Sequence, residues 1–547
     1  MEMKYLVIFA IGPVQSYIEA SRSSRDLFAS SAILSSIALA GIQTAQGFGE
    51  VIYPKLDSGE PPAGVPHRFT ITTEKDPAVA AKAVQEAVQK QWKEEIAGKV
   101  RSYLAHIWGD GEWQNIFDRQ VNNWLEFYWV AVTYHPASHS ECIGKANIAM
   151  AARKSIRNFP QIAEKGVKCT LTGVQSALTD STKMWDKVRE KMNDTISDDG
   201  DYKLIRSNEK LGAIAVIKRL AVFAKVKLTL TYDAIPSVTE IAQAGFPPGV
   251  ALSKDTPLYY AVLHMDGDRI GKHLGGISSL SEHGNFSQKL AQFAKDFAGN
   301  IVEYNKGRLV YAGGDDVLAF LPVQTALQCA DDLRSEFAKL TGLTASAGIA
   351  IAPDTYPLDL ALEAARSAED AAKEIYGRNA VSISIITGSA ETRKVGGSWS
   401  NQHSPDTLAH IIQTLMLFMT PGTAEALQQA FAENTAKNAA WLGEISKISP
   451  KESALSSSIG YDLYEVIYSL GLESMKDALS AELKRIIRRR LNERIKNNQA
   501  IAELETLLFN YITTLAEGSA QVSFSDAWRS AMNWLIIARF LAKGGIA

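Results

Sequence analysis

Two acidic segments carry the residue types from which a metal-dependent nucleotidyl transfer centre is built. One is His264-Met265-Asp266-Gly267-Asp268, which ends a run of β-forming residues; the other is Gly313-Gly314-Asp315-Asp316, at the tip of a tight turn. If the turn lies beside the end of the first strand, Asp266, Asp315 and Asp316 converge although they are remote along the chain, and three clustered carboxylates need a cation. Hard oxygen donors suit Mg²⁺ or Mn²⁺. Two such ions roughly 3.5–4 Å apart activate an attacking hydroxyl while neutralising a leaving pyrophosphate. Gly313 and Gly314 are expected to adopt positive φ and to leave room for a triphosphate near the backbone. An ordinary Asp-rich turn has the same composition, so the argument rests on the pair of loops and not on either one. Downstream, Ala371-Ala372-Lys373-Glu374-Ile375-Tyr376-Gly377-Arg378-Asn379-Ala380 ends a helix at a glycine. Lys373 and Arg378 stand where they either reach phosphate oxygens or complement the negative end of the helix.

Such a site must be positioned by strands and hairpins, and the periodicity supplies them. Leu258–Met265 patterns as a buried strand, 286–304 as a helix, 308–311 and 317–321 as a hairpin, 323–340 as a helix and 344–351 as a strand. A further helix over 358–376 and a strand over 380–386 follow. The same β-α-β-β-α-β order occurs near the start: a strand over 5–11 ending at Gly12-Pro13, a helix over 14–43, strands over 50–53 and 68–72 around a loop with Pro61-Pro62 and Gly64, a helix over 78–96 and a strand over 127–134. The fold class expected is α+β. Two ferredoxin-like palms occupy 1–137 and 251–395, a connecting α/β domain 138–250 and a C-terminal helical bundle 396–547, with a break at Gly396-Gly397-Ser398. Asp198-Asp199-Gly200-Asp201 reads as a surface turn in the connecting domain.

Composition bounds the rest. A chain of 547 residues is too long for one core, and 46% apolar with 21% charged residues excludes a largely disordered or fibrous protein. The net charge of −3 excludes a surface that is basic all over, so nucleic acid would be met through a local patch or a partner. The candidate patch is Lys484 to Lys496, where Ile487, Leu491 and Ile495 line one helix face. Lys484, Arg485, Arg488 and Arg489 would spread around the rest, toward RNA, an acidic partner or solvent. Three scattered cysteines, Cys142, Cys169 and Cys329, fit a reducing compartment, and Met1–Ile11 has neither a cleavage pattern nor a membrane-spanning length. A cytoplasmic protein without membrane contact is expected.

Taken together, Ile11-Gly12-Pro13-Val14-Gln15-Ser16-Tyr17-Ile18, Arg22, Arg25-Asp26-Leu27, Ser30-Ser31, the Asp266-Gly267-Asp268 loop, the Gly-Gly-Asp-Asp hairpin and Gly377-Arg378-Asn379-Ala380 resemble the large subunit of type III CRISPR effector complexes, in its Cmr-type branch. The palm signals also resemble diguanylate cyclases, with one extra residue between Lys373 and Gly377. The first resemblance covers the whole chain in domain order. It implies a subunit that, when its complex pairs guide RNA with target RNA, converts ATP into cyclic oligoadenylates for antiviral defence, two ATP molecules lying between facing palms. Carried over by position, Asp266, Asp315, Asp316 and the Gly267 carbonyl would bind metal. Gly12, Gln15, Ser16, Asp268, Gly313, Gly314, Lys373 and Arg378 would contact nucleotide, the first palm binding without catalysing. Other products, an AMP conjugate or a cyclic dinucleotide, and a scaffold role without turnover are the alternatives. The family often carries a His-Asp nuclease domain; this sequence has no His-Asp dipeptide, so no DNase activity is expected. It also often carries a zinc-binding cysteine cluster, of which Cys169 alone is retained. His135, His139, Cys142 and Cys169 supply zinc-ligand types, and buried thiols with surface imidazoles are the simpler expectation.

Overall fold

The computed structural model describes residues 3–55, 64–156, 164–193, 205–228, 235–246, 258–388, 392–401, 404–423, 426–427, 444–445, 447–469, 476–496, 501–517 and 524–543. The Asp198–Asp201 segment and Pro61-Pro62 lie outside them.

The first palm begins with β1 (Tyr5–Gly12), whose run of apolar residues is buried on both faces. α1 (Gln15–Glu19) and α2 (Ser24–Gln46) follow, then β2 (Glu50–Tyr53), β3 (Arg68–Thr73), α3 (Pro77–Lys90), a π-helical stretch (Gln91–Gly98), α4 (Lys99–Trp108), α5 (Glu112–Asn122) and β4 (Glu126–Thr133). The sheet order is β2-β3-β1-β4, all antiparallel, the ferredoxin-like arrangement expected. The single helix expected over 14–43 is two. The chain breaks at Ala20–Ser23, where the Lys218 ammonium takes the carbonyls of Tyr17 and Ala20 at 2.7 and 2.6 Å and the Ser23 hydroxyl caps α2 by accepting from Asp26 N. By length and hydropathy α2 passes for a membrane span, yet 72% of its apolar window is buried within the protein, as in a core helix.

The connecting segment was expected to be α/β. Its described residues form four helices, α6 (His139–Ser155), α7 (Thr182–Asn193), α8 (Ala213–Leu220) and α9 (Val238–Gln243), with one isolated bridge, Lys168 to Ser176. These helices do not make a core of their own. α6 covers one face of the first sheet with Ile143, Ala146 and Met150, α7 and α8 share the opposite core with Phe9, Phe69 and Trp92, and α9 packs on the second palm.

The second palm runs β5 (Tyr259–Gly267), α10 (Ile270–Gly276), α11 (Leu280–Gln292), a π-helical stretch (Phe293–Ala298), α12 (Gly299–Tyr304), β6 (Arg308–Ala312), β7 (Val317–Pro322), α13 (Ala326–Thr341), β8 (Ala345–Pro353), α14 (Leu358–Glu374), β9 (Ala380–Ile386) and β10 (Thr392–Ser398). Its sheet order is β10-β9-β8-β5-β7-β6. Gly396 and Gly397, read as a domain break, instead sit inside β10, which pairs antiparallel with β9. The reason is steric: a Cβ on Gly396 would lie 2.2 Å from the Tyr376 ring, which sits against the strand at that point. After a short two-stranded ribbon, Ser400–Asn401 with Ser404–Thr407, come the helices Leu408–Met419, Ile459–Ser469, Lys476–Arg490, Glu493–Lys496, Ile501–Glu517 and Phe524–Ala542. They share one continuous core with α11, α13 and the adjoining face of the second sheet.

Candidate active site between the palms

Strand alternation sends Tyr260, Val262, His264 and Asp266 to one face of β5, with Asp266 at its C-terminal end. The pairing of Met265 with Val317 places Asp266 beside the hairpin tip, and Gly267 N donates to the Asp315 carbonyl at 3.2 Å. The three expected aspartates therefore line one cleft of about 470 Å³. Its opposite wall comes from the first palm and α6: Ile8, Ala10, Tyr53, His67, Arg68, Asn147 and Lys154.

Burial pushes the Asp315 and Asp316 carboxyls up to about 7, and the negative charge of Asp266 adds to the effect on both. The Asp316 side chain keeps 44% of its accessible surface, turned into the cleft, but Oδ1 is sequestered without a hydrogen-bond partner, 3.6 Å from His264 Nε2. Asp266 is held differently. Lys373 on α14 pairs with both Asp266 and Glu369, and Glu369 in turn lies 3.7 Å from His264 Nδ1. Among the described residues no three His, Cys, Asp or Glu side chains form a closed metal-ligand set. The donor set nevertheless fits a hard divalent cation, because three carboxylates face one space, two of them resist ionisation through burial and the charge of Asp266, and one buried oxygen is orphaned.

Of the two glycines, Gly314 has the expected positive φ, +96°, and needs its missing side chain for the turn; Gly313 has no positive φ. A Cβ on Gly313 would lie 1.7 Å from the Tyr311 hydroxyl, so close packing is what requires glycine there.

Asp268 does not face the cleft. It is 4% exposed, and its carboxylate accepts from Thr344 Oγ1 (2.7 Å), Ser346 Oγ (2.8 Å) and Asn379 N (2.8 Å). Arg378 lies 3.7 Å from the same carboxylate. The run Gly377, Arg378, Asn379 has φ of +81°, +71° and +46°, a left-handed turn that brings the Asn379 amide to Asp268. Asp268 and Arg378 thus form a brace under the site. Gly12 pairs with Glu126 at the end of β1, while Gln15 and Ser16 line a different cavity of about 720 Å³, with Lys218 and Arg366.

The four zinc-ligand types do not converge. His135 is exposed, Cys142 packs under the first sheet, Cys169 lies in the core on its opposite face, and His139 bonds to Tyr134 OH (3.0 Å) and to His283 (3.1 Å). In the basic stretch, Ile487, Leu491 and Ile495 are buried as expected. Arg485 pairs with Glu482 within its own helix, whereas Arg488 with Glu505, Arg489 with Asp462 and Lys484 over the Phe509 ring fasten C-terminal helices to one another.

Two family models match the chain in the order of its palms: CRISPR-associated protein Cmr2, N-terminal, over residues 6–98, and Cas10/Cmr2, second palm domain, over residues 259–382. Both palm segments are thus similar to the Cas10/Cmr2 family, over about two fifths of the chain. It is 36% identical over 163 residues to the CRISPR system Cmr subunit Cmr2 of Pyrococcus furiosus, a match covering 24% of this chain and 19% of that protein. With the Cas10/Csm1 single-strand-specific deoxyribonuclease (subtype III-A) of Streptococcus thermophilus it shares 33% identity over 138 residues, 23% of this chain and 18% of that one. The matched parts thus span about a fifth of these curated Cas10/Cmr2 relatives. The fold is shared more widely: a type III-B Cmr-beta apo structure matches all of this chain and 82% of its own at 13% identity with a TM-score of 0.62. A Csm1-Csm4 cassette in complex with pppApApA matches all of this chain and 70% of its own at 13% identity with a TM-score of 0.51.

Sequence reasoning missed the far wall of the inter-palm cleft. Tyr53, His67, Arg68, Asn147 and Lys154 carry no local motif, and the one available signal was that Arg68 opens a strand of the other palm.

Proposed function

We propose that the chain is the large subunit of an RNA-guided type III CRISPR effector complex, assembling with its other subunits on guide and target RNA. Its inter-palm cleft joins ATP molecules into cyclic oligoadenylates. The observation that carries this is the set of three aspartates on one cleft wall, facing Arg68 and Lys154 on the other. The cleft volume is that of a small-molecule site. The fold's occurrence in a cassette in complex with pppApApA supports an adenylate chemistry.

Asp266, Asp315, Asp316 and the Gly267 carbonyl would hold Mg²⁺ or Mn²⁺, which when bound neutralises phosphate charge and acidifies a ribose hydroxyl. Lys373, now on Asp266, is placed to move to a phosphate once a cation takes that carboxylate; Arg68 and Lys154 face the same charge from across the cleft. The 3′-oxygen of one ATP bonds to the α-phosphorus of the next as the bond to pyrophosphate breaks, so in-line positioning is the protein's main contribution. Gln15 and Ser16 touch nucleotide in this scheme only if the second ATP extends into their cavity.

Incubating the assembled complex with ATP, Mg²⁺ or Mn²⁺ and target RNA should yield oligoadenylates, identified by mass spectrometry, and Asp315→Ala with Asp316→Ala should abolish them. Product surviving in that variant would reject the site; an AMP conjugate or cyclic dinucleotide would reject the product.

A further inference from the structure

Tyr260 shares its strand face with Asp266 but lies six residues earlier, about 20 Å away at roughly 3.3 Å per residue. It is fully buried, and its hydroxyl has no hydrogen-bond partner. Tyr260 is among the residues that line a third cavity, of about 650 Å³, bounded by α2, the 206–209 segment, α8, α9 and β5. Four arginines line it: Arg22, Arg25, Arg206 and Arg219.

Their arrangement is built, not incidental. Arg219, 4% exposed, is clamped by Asp26 at 3.0 and 3.1 Å and by Glu209 at 2.5 Å, and Arg22 reaches the same Glu209 at 3.4 Å. The second wall carboxylate, Asp354, accepts from Thr239 at 2.9 Å. Among the described residues that line the cavity, four carry guanidiniums and two, Glu209 and Asp354, carry carboxylates, and the Arg206 guanidinium forms no ion pair with a described residue. The N-terminus of the 23-residue helix α2 opens at the same place and adds its positive end.

We propose that this cavity binds the phosphate groups of a small nucleotide, at a site separate from the carboxylate cleft. The guanidinium forks and the helix end recognise phosphate oxygens, and the neutral Tyr260 hydroxyl supplies a donor that nothing else in the protein uses. An occupant would touch the first palm, the connecting segment and the second palm at once.

Calorimetric titration of the full chain with tripolyphosphate and with ATP, without divalent cation, tests this. One binding event is expected to persist in the Asp315→Ala/Asp316→Ala variant, which separates it from the cleft. Arg206→Gln and Tyr260→Phe are each expected to weaken it roughly tenfold, the loss of one hydrogen bond to a charged group. Arg206 is exposed and unpaired, so its replacement tests the site even if Tyr260→Phe perturbs folding. Absence of the event, indifference to both substitutions, or binding of an eight-nucleotide single-stranded RNA where tripolyphosphate and ATP do not bind, overturns the proposal.

Discussion

Asp315 and Asp316 are buried carboxyls whose charge no cation among the described residues pairs with directly. Both stand at about 7 against an ordinary 3.8, so between those limits the folded state binds more protons than the unfolded state and stability falls as pH rises. The metal-free protein is therefore expected to melt at a higher temperature at pH 6 than at pH 8, with Mg²⁺ or Mn²⁺ restoring stability mainly at pH 8. Thermal unfolding of Asp315→Asn/Asp316→Asn should show a shallower pH dependence and a smaller cation effect; equal slopes in the two proteins would mean that other groups set them. Asp268, two residues from Asp266, shows the opposite design, its charge absorbed by two hydroxyls and a backbone amide.

At the scale of elements, the site depends on how closely α14 lies on β8. A Cβ on Gly348 would fall 2.1 Å from Glu369 N and 2.2 Å from the Ala365 carbonyl, both of them backbone atoms that cannot swing aside. α14 carries Arg366, Glu369 and Lys373, so its distance from the sheet sets where the ammonium meets Asp266. Gly348→Ala is expected to cost about 1–3 kcal/mol in urea unfolding, as overpacking does, and to lower oligoadenylate yield more than the stability loss explains. A variant with wild-type yield would show that α14 need not hold this height.

Over the whole molecule, cleft geometry is held by polar ties between segments far apart in sequence. Arg219 of α8 grips Asp26 of α2, Glu19 of α1 pairs with Arg366 of α14, and His139 of α6 meets His283 of α11. Asp26 is 1% exposed, and although burial pushes its carboxyl up, Arg219 together with Lys218 and the Arg22 amide holds it below the usual range. Asp26→Ala leaves a buried guanidinium short of its partner and is expected to cost about 3–5 kcal/mol, by chemical denaturation. Adding Arg219→Met should recover part of that loss; no recovery would mean that the ion pair was not the cause.

The sequence by itself determined both palms as element strings, the Gly-Gly-Asp-Asp turn, the helical C-terminus and the three aspartates, because hydrophobic period and turn chemistry are local properties of neighbouring residues. It could not show that Gly396 lies within a strand, since that follows from the Tyr376 ring packing on it, nor that Asp268 turns inward, since that needs the left-handed 377–379 turn beneath it. Nor could it pair Arg68 and Lys154 with the aspartates. Only the tertiary structure decided which wall faces the carboxylates, because contacts across two palms are fixed by the packing of helices between them, and no spacing along the chain encodes that distance.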